Sequence, residues 1–79
     1  MATNINYRAS ADRAFAAADS MRPDLLDRSI YAQREGLRMA ARTFSDIADG
    51  RLRDLGETDA LTRQAEVCIE HHGCLVREG

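Results

Sequence analysis

The 79 residues suffice for one domain and no more, and a chain this short buries only about 60% of the surface it exposes when unfolded. Its 44% apolar fraction is ordinary, but thirteen of those side chains are Ala and none is Trp, so each buried residue removes little area from water and a partner or second copy would add stability. A net charge of −2 excludes the basic surplus of a sequence-independent nucleic-acid binder, and no apolar run approaches the roughly 20 residues of a membrane span.

One Pro and five Gly punctuate the chain, with two Val and four Ile in total. No stretch alternates β-branched with polar residues, so no sheet is expected. The first predicted helix runs from about Asn6 to Met21. Asn4 or Asn6 can cap it, because a short amide side chain accepts the orphan N–H groups of a first turn. Tyr7, Ala11, Ala14, Phe15, Ala18 and Met21 recur at spacings of three and four and share a face.

Pro23 breaks that run and suits the first position of a new helix, with Asp24 and Asp27 complementing its dipole. The second helix is predicted from Pro23 to Asp49. Leu26, Ile30, Gln33, Leu37, Ala40, Phe44 and Ile47 alternate spacings of four and three, a heptad seam in which Gln33 is the polar member that would set register. Asp49-Gly50 reads as the stop. Leu52 and Leu55 continue a weak helical spacing, which would make a fourth helix if the chain resumed there. Gly56-Glu57-Thr58 reads as a turn. A third helix follows from Thr58 or Asp59 to His72, with Leu61, Ala65, Cys68, Ile69 and His72 on its inward face. Gly73 caps it, and Cys74-Leu75-Val76 folds back over its end. The expected fold is a small all-α bundle of three helices, or four, with a long central helix, and residues 1–79 form a single domain.

The densest polar cluster is Cys68-Ile69-Glu70-His71-His72-Gly73-Cys74. Cys68 and His72 are four apart on one helix face, and Cys74 can return from the turn, so the three are weak zinc-ligand candidates. Against them, structural zinc sites join separate segments, whereas these ligands span seven residues. The same cysteines are candidates for a disulfide or a dimer contact, or else Cys68 is simply a small half-buried hydrophobe. A Cys–His pair without a third residue or room for a substrate pocket makes a poor nucleophile site. No phosphate-binding glycine motif is present. Aligning Gly50 with the glycine of a calcium loop puts Gly56 at the terminal acid, which rejects that reading. No catalytic residue, metal or cofactor is expected.

Eleven Arg stand against no Lys, a bias that GC-rich coding explains as readily as the preference of interfaces for the planar guanidinium. Arg34, Arg38 and Arg42 line one stripe of the second helix, and Arg51 and Arg53 follow it. They are the candidate partner-binding residues, although Glu35 and Asp46 also balance them as an ordinary solvated face. Arg51, Arg53 and Arg63 flank the turn before the third helix, as in helix-turn-helix proteins. That helix, however, carries Glu57, Asp59, Glu66 and Glu70, which repel phosphates.

Three function classes follow. The first is a non-catalytic protein–protein interaction module, an inhibitor or adaptor of the phage or mobile-element kind, such as an anti-CRISPR or antitoxin, that docks on a larger protein or complex. The second is a dimeric DNA-binding regulator. The third is a small zinc- or redox-responsive protein using Cys68, His72 and Cys74. The first fits best, with a homodimer as a further expectation. No signal peptide is recognisable, so a cytoplasmic location is expected, with reduced cysteines.

Overall fold

Each helix opens on a short side chain that takes the amide protons its first turn leaves unpaired. Asn6 Oδ1 accepts from the Ala9 N–H at 3.0 Å and opens α1, Tyr7–Ser20. Asp27 accepts from the N–H groups of Ser29 and Ile30 at 3.1 and 3.2 Å and opens α2, Arg28–Ala48. Asp59 accepts from Thr62 at 2.9 Å and opens α3, Ala60–His71, after a single 3-10 turn over Gly56–Thr58. This computed structural model describes residues 4–22, 27–54 and 56–78. Within them the chain is a three-helix all-α bundle.

Both α2 and α3 end as glycine motifs dictate. Gly50 and Gly73 have φ of +77° and +70°, a region other residues enter only at a steric cost. Each stands just past the last turn. The Gly73 N–H donates to Glu70 C=O, and Cys74 N–H reaches back to Ile69 C=O, both at 2.9 Å. Gly50 and Arg51 repeat the pattern on Ile47 and Asp46. These are Schellman closures, which satisfy the carbonyls of the last turn.

α2 is the hub: α1 and α3 both pack on it. Ala11, Ala14 and Ala18 of α1 are fully buried, and their single methyl groups let α1 approach α2 closely. Volume comes instead from Leu37, Phe44 and Ile69, the largest fully buried apolar side chains. The Tyr7 ring meets Phe44 edge-on, with centroids 5.1 Å apart, a favoured aromatic geometry.

Several expectations are corrected. α2 begins at Arg28, not Pro23, because Asp27 has non-helical backbone angles and caps the helix; Pro23, Asp24 and Leu26 lie outside the described residues. Leu37, Ala40 and Phe44 of the seam are buried. Gln33 is exposed and donates to Ser29 Oγ at 3.4 Å, so it sets no register within this bundle. The inward stripe of α3 runs through Thr62, Ala65 and Ile69, and Leu61 is one position off it, 52% exposed. Residues 51–54 form no helix, and Leu55 lies outside the described residues.

A sheet, though unexpected, exists in miniature. β1, Asn4–Ile5, pairs antiparallel with β2, Arg77–Glu78. Two residues per strand are too short to show alternation in a sequence. Its anchor is Ser10, fully buried in α1: Ser10 Oγ accepts from the Val76 N–H at 2.8 Å and donates to Val76 C=O at 3.4 Å. Cys74 is buried at the end of the same tail, as the fold-back of residues 74–76 required.

Candidate functional site: the groove between the second and third helices

α1 covers one side of α2, and α3 covers another only in part. Between α2 and α3 lies a groove of about 490 Å³. Ala40 and Ala65 are buried at its floor, while Met39, Leu52 and Leu61 stand at its rim with 69%, 38% and 52% of their surface exposed. The small floor residues create the depression, and the helix-end loop brings Leu52 back over it. Half-exposed apolar side chains on such a rim leave apolar area in water that a docked surface would remove.

Charge is unevenly distributed around this rim. Arg51 and Arg53 are exposed on the loop after α2, on either side of Leu52, and neither guanidinium has an ion-pair or hydrogen-bond partner among the described residues. The nearest acid in sequence, Asp54, is already engaged: it accepts from the Tyr7 hydroxyl and from the Gly56 N–H. Asp49 is held by Arg8, which also donates to Ser45 Oγ at 3.3 Å. The two loop guanidiniums are therefore free to meet an external acid.

The expected arginine stripe on α2 is not one surface. Arg34 is half-buried and its Nε is enclosed without a partner. Arg38 leans toward α1, 3.8 Å from Asp19. Arg42 lines the groove beside Met39. Residues four apart drift around the helix axis, so three of them face three settings. Leu61 and Leu52 were not singled out in the sequence as binding residues. Their signal was present but ambiguous, since an exposed Leu looks like a core Leu until the helix is packed.

Cys68, His72 and Cys74 are not brought together as a ligand set. No group of three or more His, Cys, Asp or Glu is arranged to hold an ion among the described residues. Both cysteines are free thiols. Burial pushes both thiols up from their ordinary pKa, with Cys74 adding to the shift at Cys68 and Arg13 partly offsetting it at Cys74. A raised thiol holds less thiolate at a given pH. His71 and His72 meet edge to face at 5.2 Å.

No helix of the described residues is long and apolar enough to cross a membrane. No protein-family model matches the chain, and neither a curated protein nor a solved structure gives a significant match.

Proposed function

We propose that this chain is a non-catalytic binding module that docks on a larger protein through the end of the α2–α3 groove. Leu52 and Leu61 supply the apolar anchors, and Arg51 and Arg53 supply the charge. The partner it fits presents an apolar patch flanked by carboxylates. An inhibitor or adaptor, including one of the anti-CRISPR or antitoxin kind, acts in this way by occupying a surface. The observation that carries the reading is the coincidence of two exposed Leu with two guanidiniums that no acid of the described residues engages. Interfaces favour such a combination: apolar contacts at the centre, with Arg enriched and able to pair bidentately at the edge.

The test compares quantitative capture from extracts of the source cell by the wild-type chain, by Leu61→Asp and by Leu52→Asp. A protein retained at fixed stoichiometry by the wild type and lost with both variants, each still helical by circular dichroism, is the expected result. Equal retention by all three would remove the groove from the reading.

A further inference from the structure

The α2–α3 groove is walled by backbone that has nothing left to offer. The N–H and C=O groups of α2 and α3 are spent within their own helices, and carbonyls of both last turns accept the closing bonds of the glycine motifs. Neither β1 nor β2 lines the groove. Four polar side chains do, those of Arg42, Thr43, Asp46 and Gln64, and the Thr43 hydroxyl already donates to the Met39 carbonyl at 3.1 Å. Small or apolar residues make up the rest of the described lining.

Such a lining discriminates between occupants. From Gly36 to Asp46 the α2 wall is about 15 Å long. An extended segment of that length has about five residues, and their N–H and C=O groups would lie against two helices that cannot pair with them. Each such group left unpaired out of water weakens binding by roughly tenfold. A helix satisfies its backbone internally and turns only side chains to the groove. Its residues at i, i+3, i+4 and i+7 span about 10 Å, which matches the α3 wall from Leu61 to Cys68.

Charge sets the composition of that helix. Arg42 is exposed on the α2 wall, and Arg51 and Arg53 are exposed at the loop end. None of the three guanidiniums has an ion-pair partner among the described residues. Against them the described lining holds one acid, the half-buried Asp46. Carboxylates on the flank of the occupant, and at its end over Leu52, complement this surplus.

From the lack of a free backbone edge along the described groove and its surplus of unengaged guanidiniums, we propose that the partner enters as an acidic amphipathic α-helix lying along the groove from Leu52 to Gly36. The inference rests on the docking reading and extends it away from the loop end. Gly36 stands about 15 Å along α2 from Asp46, so contact there is required only of a segment that runs the length of the groove. A Cβ on Gly36 meets nothing within 4 Å, so Gly36→Leu obstructs the groove without disturbing its own chain.

The test is fluorescence anisotropy with three labelled peptides of about 18 residues. The first has Leu at i, i+3, i+4 and i+7 and Glu on the flank and in one end turn. The second rearranges the same residues so that Leu alternates with polar residues. The third replaces every Glu of the first with Lys. The first peptide binds the wild type in the micromolar range, at least roughly tenfold more tightly than the other two, and gains helicity by circular dichroism as it binds. Its affinity falls at least roughly tenfold with Gly36→Leu and with Leu61→Asp. The double variant Arg51→Glu, Arg53→Glu prefers the third peptide over the first, a reversal that also demonstrates that the variant folds. No binding of the first peptide up to about 1 mM, equal binding of the alternating peptide, or an affinity unchanged by Gly36→Leu would each overturn the proposal. Failure here with capture still lost in Leu61→Asp leaves the docking edge standing. Peptide binding that is lost with Gly36→Leu, in a chain whose capture is unaffected by Leu52→Asp and Leu61→Asp, sinks the docking edge instead.

Discussion

Ser10 shows how much one hydroxyl can hold. Itself fully buried in α1, it ties the core to the C-terminal tail by accepting from the N–H of the half-buried Val76. Ser10→Ala leaves that donor unpaired, which costs about 1–3 kcal/mol. Urea unfolding should report that loss, and hydrogen exchange should show the amides of residues 76–78 losing protection first. Glu66 is perturbed in the opposite sense. Burial raises its pKa, Asp54 adds to the rise, and Arg77 and Arg63 oppose it. The folded state therefore holds the Glu66 proton more tightly than the unfolded chain does. Its penalty is absent at pH values below the ordinary carboxylate range and grows as pH rises through the raised value. Glu66→Gln should be more stable than the wild type at neutral pH and indistinguishable from it in acid, as read by thermal unfolding across that window.

The elements were legible where local chemistry fixed them. Asn6, Asp49-Gly50, Asp59 and Gly73 are caps whose side chains or backbone freedom act within a few residues, and each ends or starts a helix as its type implies. Less legible was anything decided by packing. Gln33 has the spacing of a seam residue but falls outside the packed half of α2, where Leu37, Ala40 and Phe44 are buried. Leu61 has the hydrophobicity of a core residue, yet Thr62 took the buried position. The start of α2 was misplaced because Pro23 and Asp27 both carry start signals, and only the Asp27 cap distinguishes them. Gly36→Ala is the prediction belonging to this scale. With no atom in the way of the added methyl, it should stabilise the fold by about 0.5–1 kcal/mol, raising the melting temperature by several degrees.

For the whole molecule, the Ala-rich α1 explains both the fold and its exposed remainder. Small side chains bring α1 against α2 without filling much volume, so one cluster centred on Phe44, Leu37 and Ile69 carries the core. A chain of this size is stable by only about 4–12 kcal/mol, and it nonetheless leaves Met39, Leu52 and Leu61 in water. Part of the candidate site could be read early, because Arg51 and Arg53 are conspicuous charges in a chain without Lys. The apolar half could not, since the groove exists only once α3 has packed on α2. The cysteine–histidine cluster, weighed in the sequence only as a weak ligand set, holds two free thiols and an edge-to-face histidine pair, with no group of three ligands among the described residues.

The docking claim is tested most directly by titrating the captured partner with the wild-type chain and with the double variant Arg51→Glu, Arg53→Glu at low and high salt. The account predicts at least a roughly tenfold loss of affinity in the variant at low salt, narrowing as salt screens the charges. Equal affinities at both ionic strengths would contradict it.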